Sequence, residues 1–255
     1  MAAFPLMLPG TSRPPKLVVF DLDHTLIACD ATILWTEFLY EKKIVTDPIW
    51  RQYDRDMVKS YAKGVLDIRD FCRKHAGAFR SIPEEKLHAL AQEFAKKKIA
   101  PLIFPDGKKW AKNALQANIP ACVLSASAAF IVKPIAKLFG LTDAMGIELA
   151  FKDGFCTGEI VGIPTFQEGK VERLSQRLDE AGIGFEDVLF FTDSRNDLPL
   201  AERAGYTVCV NPDAVLESAA RKNGWKVAEW KLSLRTQMTA QVDAKGGPET
   251  QTVRS

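Results

Sequence analysis

The stretch Lys16–Leu26, KLVVFDLDHTL, decides the fold. Its apolar residues Leu17, Val18, Val19 and Phe20 run straight into two aspartates, Asp21 and Asp23. An apolar run with β-branched residues that stops at polar ones reads as a short buried strand. Buried carboxylates are costly unless something pairs with them. A buried strand that ends in two negative charges therefore demands a cation, a task, or both.

Two further apolar runs stop in a similar way. PACVLSAS ends at Ser125 and Ser127, and DVLFFTDSRND ends at Asp193, Asn196 and Asp197. YTVCVNP reads as one more strand, and GIELAFKDGFCTGEIVG as a hairpin turning at Asp153-Gly154. Helical patterns alternate with these strands. KKWAKNALQANI is one, and FIVKPIAKLFG, closed by Gly140, is another. KVERLSQRLDEAG places Val171, Leu174, Leu178 and Ala181 on one face and ends at Gly182. Strands alternating with helices predict an α/β fold with a parallel sheet covered on both faces.

Between the first strand and this alternating part the pattern is helical only. ATILWTEFLYEKKI carries Leu34, Trp35, Phe38 and Leu39 as a stripe, and DIRDFCRKHAGAF continues the helical composition. SIPEEKLHALAQEFAKKK places Leu87, Leu90, Ala91 and Phe94 on one face, with Ser81 and Glu84 as a capping box. The predicted organisation is a catalytic core formed by 14–27 plus 106–232, a helical cap inserted at 28–105, and flexible ends at 1–13 and 235–255. The cap aromatics Trp35, Phe38 and Phe71 are expected in the core rather than in a pocket.

Composition narrows the function. The chain has 255 residues, 47% of them apolar, so a sizeable core can form. Net charge is +2 and the basic residues are scattered, which favours neither nucleic acid nor membrane as a partner. The densest basic run, EFAKKKIA, reads as a solvated helix face. The Cys count is five, with no C-x-x-C pair, which fits a reducing compartment and argues against a zinc site or a disulfide framework. No apolar run reaches membrane-spanning length, and the expected location is the cytoplasm. None of this speaks to oligomeric state.

In an open parallel sheet, ligands bind beyond the carboxyl ends of strands, where the strand order reverses. If the three polar strand ends are neighbours, Asp21, Asp23, Asp193 and Asp197 crowd together. Carboxylates so placed repel unless a cation joins them, and hard oxygen donors without a His or Cys cluster point to Mg²⁺. Such a centre can hold a phosphate dianion, and one carboxylate can serve as nucleophile while the other protonates the leaving group. Ser125 and Lys170, which opens a predicted helix, would meet the phosphate oxygens. Singly, each piece has a plainer reading: D-x-D arises by chance, a serine after a strand is often an N-cap, and a lysine at a helix start is usually solvated.

The set of motifs resembles the haloacid dehalogenase (HAD) superfamily, specifically its phosphatases with a helical cap after the first motif. DLDHTL is similar to the D-x-D-x-T motif, VLSAS to the second motif, Lys170 to the third, and TDSRND to the fourth, with Thr192 where glycine is usual. The resemblance spans about Lys16 to Trp230. It implies a Rossmann-like, doubly wound core and a Mg²⁺-dependent phosphomonoesterase with an aspartyl-phosphate intermediate. Asp21 would be the nucleophile and Asp23 the general acid and then base, oriented by Thr25. Ser125, Lys170 and Asn196 would hold the phosphoryl group. The metal would be held by Asp21, the Asp23 carbonyl and Asp193, with Asp197 in support. The presence of Asp23 favours phosphoester over carbon–halogen chemistry.

Among such phosphatases the phosphoserine enzymes look nearest. Asp30 falls where a Glu holds the substrate amine, and counting from Gly64 puts His75, with Arg73 beside it, where an arginine holds the substrate carboxylate. The expected partner is therefore a small phosphorylated metabolite, an amino-alcohol phosphate such as phosphoserine or histidinol phosphate. His24 is expected to be structural and His88 solvated. A phosphotransferase, with an alcohol replacing water as acceptor, needs the same residues. A non-catalytic binding protein would have no use for the full set.

Overall fold

Side chains alternate along β1 (Leu17–Phe20), and both faces of the strand are buried. Val18 and Phe20 join one apolar cluster, Leu17 and Val19 another on the opposite side. That alternation is the signature of a strand covered by helices on both sides. The computed structural model describes residues 13–233. The expected flexible ends at 1–13 and 235–255 lie outside the described residues apart from Arg13.

After β1 the chain forms α1 (Ala31–Glu41), α2 (Ile49–Lys63), α3 (Ile68–His75), α4 (Glu84–Phe94) and α5 (Pro105–Gln116). Then come β2 (Ala121–Ala128), α6 (Ala129–Ala136), β3 (Asp143–Ile147), β4 (Leu149–Lys152), β5 (Phe155–Ile160) and α7 (Glu168–Ala181). The described residues close with β6 (Val188–Thr192), α8 (Leu198–Ala201), β7 (Tyr206–Val210), α9 (Ala214–Asn223) and β8 (Lys226–Ala228). Among the described residues the main sheet has six strands in the order β3-β2-β1-β6-β7-β8, every neighbouring pair parallel. From β1 the chain winds outward through β2 to β3, then returns to β6 on the other side. The order thus reverses at β1. Helices α5 and α6 pack on the face of Val18 and Phe20, and α7 on the face of Leu17 and Val19. This is the doubly wound α/β fold the pattern predicts.

We call α1–α4 the cap. Its α1 and α4 rest on the core through aromatic rings. Trp35 of α1 meets Phe94 of α4 and Phe130 of α6 edge-on, at 5.4 and 5.5 Å. Trp35 and Phe38 are fully buried, as expected. The hairpin β4–β5 turns at Asp153 and Gly154, both with positive φ, 51° and 79°. The Gly154 carbonyl accepts from the Glu84 N–H and so satisfies one of the free donors at the start of α4.

Local structure departs from the sequence reading in several places. The Ser81–Glu84 capping box does not form: Pro83 is the N-cap, without a side-chain bond. A proline disfavours helix in the residue before it, so the helix cannot run back through Ile82 to Ser81. At its other end α4 stops at Phe94, and Ala95–Ile99 continues as a wider π-helical turn. The short strands β3 and β8 carry no clear apolar run and were not expected as separate strands. Among the described residues, no helix is long and apolar enough to cross a membrane.

One buried group in the cap opposes stability. Asp54 of α2 is 4% exposed, and its carboxylate has no close hydrogen bond, only the Thr36 hydroxyl as a weakly placed neighbour. Burial pushes its carboxyl up to about 7. His75 Nε2 lies 3.6 Å away, but burial pushes that imidazole down to about 4, so it offers no compensating charge near neutrality. The unfolded chain releases the Asp54 proton near about pH 4, whereas the folded chain keeps it to about 7. Stability therefore falls as pH rises through that window. Asp54→Asn keeps the shape and cannot ionise. In urea titrations it is expected to exceed wild type by on the order of 1–3 kcal/mol at about pH 8, with the gain shrinking toward pH 4. A difference that does not change with pH would contradict this account.

Candidate active site

The loop that leaves β1 explains how two aspartates separated by one residue reach the same place. The Leu22 carbonyl accepts from the N–H groups of Thr25, Leu26 and Ile27, so the chain turns tightly beyond Asp21. His24 adopts the left-handed conformation within that turn, φ 54°. Alternation of side chains ends with the strand, and Asp21 and Asp23 both face the region beyond the sheet. β2 and β6 flank β1, so Ser125, Ser127 and Asp193 arrive from either side.

At the bottom of the site lies a buried ion-pair network. Lys170, in the first turn of α7, is 1% exposed. Its Nζ lies 2.7 Å from Asp21 Oδ1 and 2.7–2.8 Å from both carboxylate oxygens of Asp197. Burial alone would lower the lysine pKa, but the adjoining charges of Asp197 and Asp21 outweigh it and raise it. The Thr192 hydroxyl donates to Asp197 Oδ2 at 2.7 Å. Thr192, which stands where the resembled motif has glycine, thus helps fix this carboxylate.

Asp23 is held differently. Its Oδ1 accepts from the Ala31 N–H, at the start of α1, at 2.6 Å. Its Oδ2 accepts from the hydroxyls of Ser125 and Ser127, at 3.1 and 2.9 Å. Those serines are two apart on β2 and so share a face. Burial, with the nearby Asp30 charge, pushes the Asp23 carboxyl up to about 6. Asp193 is raised well above the ordinary carboxylate range by burial and by the charges of Asp21 and Asp197. Burial also raises Asp21.

Above these groups lies a cavity of about 180 Å³. Its floor is Asp21, Asp23, Asp193 and Ser127, with His24 at the side. The cap contributes Ile33, Met57, Val58, Leu66, Ile68 and Phe71, together with Tyr61. Asp30 adds a carboxylate to the wall. One of its oxygens accepts from the Ile33 N–H at 3.0 Å and caps α1. Burial raises the Asp30 pKa.

The model of the haloacid dehalogenase-like hydrolases matches residues 18–202. The chain is also 35% identical over 220 residues to a histidinol-phosphatase of Neisseria meningitidis serogroup C, an alignment covering 85% of this chain and 99% of that protein. The chain belongs to the haloacid dehalogenase-like hydrolase family. Within it the chain is a phosphatase, a phosphomonoester hydrolase. A phosphoserine phosphatase of Mycobacterium tuberculosis is 27% identical over 239 residues, covering 90% of this chain and 77% of that protein. Among solved structures, a Bordetella pertussis protein of unknown function superposes with a TM-score of 0.75 at 31% identity, covering 83% of this chain and 96% of that one. A substrate-bound phosphoserine phosphatase superposes with a TM-score of 0.64 at 21% identity, covering 90% and 99%, a likeness of fold.

Several side chains of this phosphatase make contacts other than those the sequence implies. The Thr25 hydroxyl faces Asp193 Oδ1 at 3.1 Å and Asp21 Oδ2 at 3.4 Å, not the Asp23 carboxylate, because the turn after Leu22 carries Asp23 toward β2. Ser125 is engaged with Asp23, and Asn196 donates to the Tyr61 carbonyl at 3.1 Å. Arg73 and His75 do not line the cavity. Residues turn by about 100° each around a helix, so Arg73 points away from the face that carries Ile68 and Phe71. Its side chain is 52% exposed, with the guanidinium 4.0 Å from Glu159. His75 is one turn beyond Phe71, buried beneath it with the rings stacked at 5.1 Å. Phe71, expected in the core, is a cavity wall. Ser127 stood out in the sequence as a strand end, yet only its place beside Ser125 on one face ties it to Asp23.

The oxygen donors suit a hard divalent cation. Asp21 Oδ2 and Asp193 Oδ1 stand on either side of the Thr25 hydroxyl, 3.4 and 3.1 Å from it. Among the described residues no three His, Cys, Asp or Glu side chains form a ready cage. Mg²⁺ does not need one, since it takes one or two carboxylates and keeps several waters.

The ion-pair network gives a direct prediction. Lys170→Met leaves the Asp21 and Asp197 charges buried and uncompensated. Removing one partner of a buried pair costs roughly 3–5 kcal/mol. Chemical denaturation at about pH 8 is expected to show that loss. At about pH 5 the loss should be smaller, since Asp197, already pushed up to about 6, takes a proton.

Proposed function

We propose that this chain is a Mg²⁺-dependent phosphatase of a small amino-alcohol phosphate of the histidinol phosphate class, acting through a phosphoryl group carried on Asp21. The observation that carries the substrate reading is the cavity wall. It offers the Asp30 carboxylate and an apolar lining, with no lysine or arginine among the described residues that line it. An ammonium group finds Asp30, and a ring or chain finds Phe71 and Ile68. A substrate carboxylate, as in phosphoserine, finds no cation and several aspartates of its own sign. The 35% identity to the Neisseria histidinol-phosphatase points the same way.

In the proposed reaction Asp21 Oδ2 attacks phosphorus, and the bond to the ester oxygen breaks. Asp23, whose pKa of about 6 leaves part of it protonated near neutrality, gives its proton to the departing alcohol. Asp23 then takes a proton from water, which attacks the phosphoryl group and frees Asp21 and inorganic phosphate. Ser125 and Ser127 hold Asp23 in place for both transfers, and Lys170 fixes Asp21 through its other oxygen. Asp21, Asp193 and the Asp23 carbonyl would hold Mg²⁺, which offsets the repulsion between phosphate and carboxylates.

Phosphate release from histidinol phosphate and phosphoserine, with Mg²⁺ and with chelator, tests the reading. Histidinol phosphate is expected to lead in kcat/KM by at least about tenfold, with Mg²⁺ required. Asp30→Asn retains a good N-cap and removes the charge. It is expected to raise KM for the amine substrate by about tenfold or more and leave kcat nearly unchanged. Equal or better turnover of phosphoserine by wild type would overturn the substrate class.

A further inference from the structure

The cap is attached to the core by two different kinds of contact. Helix α1 rests on α6 through Trp35 against Phe130, and α4 through His88 against the same ring. Helix α2 buries only Asp54 and Met57 over its fifteen residues, although Met57, Val58 and Tyr61 form part of the cavity roof. An element with so little buried apolar surface is held in place weakly unless other contacts seat it.

Those contacts occur at its last turn: the Tyr61 ring lies 5.8 Å from that of Phe166 on the core, and polar bonds join the same turn. Gln167 Nε2 donates to the Gly64 carbonyl at 3.3 Å and to Asn196 Oδ1 at 3.2 Å. Asn196 Nδ2 in turn donates to the Tyr61 carbonyl at 3.1 Å. Gly64 caps α2 in the left-handed conformation, φ 71°, and helix ends leave carbonyls short of partners. One amide pair on the core thus bonds two carbonyls at the end of α2, and the Tyr61 carbonyl also accepts from the Gly64 N–H at 2.9 Å.

Gln167 occupies an unusual backbone position for its type, φ 49° and ψ −125°. A side chain there is strained, whereas glycine is at ease. Yet the residue is a glutamine whose amide bridges cap and core. It also precedes Lys170 by three positions, and Asn196 adjoins Asp197, which holds Lys170.

We infer that Gln167 is a positioning residue that seats the end of α2 over the catalytic centre, so that the cavity roof closes on the substrate. The inference rests on reading that cavity as the substrate site. Strain and seating make opposite demands on one position, and Gln167→Gly separates them. The variant is expected to melt at the same temperature as wild type or higher. Hydrogen exchange of amides at 57–66 should nonetheless become about fivefold faster in the substrate-free protein, with α4 unchanged. KM for the amine phosphate should rise by a similar factor, with kcat changed less. Gln167→Glu keeps the length but cannot donate to the Gly64 carbonyl, and it should match the glycine variant in exchange and KM. Unchanged exchange at 57–66 in both variants would overturn the seating role whatever the substrate. Faster exchange with unchanged KM for every phosphoester tried would overturn the role in substrate binding and locate the error in the reading of the cavity.

Discussion

A single buried ammonium, Lys170, stands between Asp21 and Asp197 and lets so many carboxylates occupy the end of one sheet. Desolvating an ion costs several kcal/mol, and apolar replacements of buried pairs are often no less stable. This network is therefore poorly explained as a device for stability. It is well explained as a device for holding one oxygen of Asp21 while the other faces the cavity. Thr192, Ser194 and Asn196 extend the same polar structure along the loop after β6. Thr25 links that loop back to the turn after β1.

The topology decides where this cluster sits. β1 has β2 on one side and β6 on the other because the strand order reverses there. Three polar strand ends then meet with no long-range adjustment. The cap is inserted in the connection that leaves β1, so it lies over the same point. Its attachment through α1 and α4 is apolar, and its attachment at α2 adds polar bonds to one aromatic contact. The first fixes the orientation of α1, whose N-terminal N–H holds Asp23, and the second bears on the cavity roof.

Much of this is legible in the sequence. The doubly wound core follows from apolar runs and helical periodicity. Asp21, Asp23, Ser125, Lys170, Asp193 and Asp197 are legible because each stands at the end of a strand or the start of a helix. What is not legible depends on direction rather than position. Sequence spacing does not say that Thr25 turns to Asp193, nor that Ser127 joins Ser125 on Asp23. Counting from Gly64 places a residue along the cap but not around α3, and there Phe71 rather than Arg73 faces the cavity. Pro83 carries a local signal that overrides the Ser81–Glu84 pattern. Gln167 carries none, since its meaning lies in a backbone angle and in the carbonyl opposite.

In the proposed reaction Asp21 carries the phosphoryl group during turnover. Rapid acid quenching during turnover of histidinol phosphate, followed by peptide mass analysis, tests it directly. A phosphoryl group is expected on the peptide that contains Asp21, localised to that residue and absent without Mg²⁺. Steady turnover with Asp21 unmodified at every quench time, or with the label on another side chain, would contradict it.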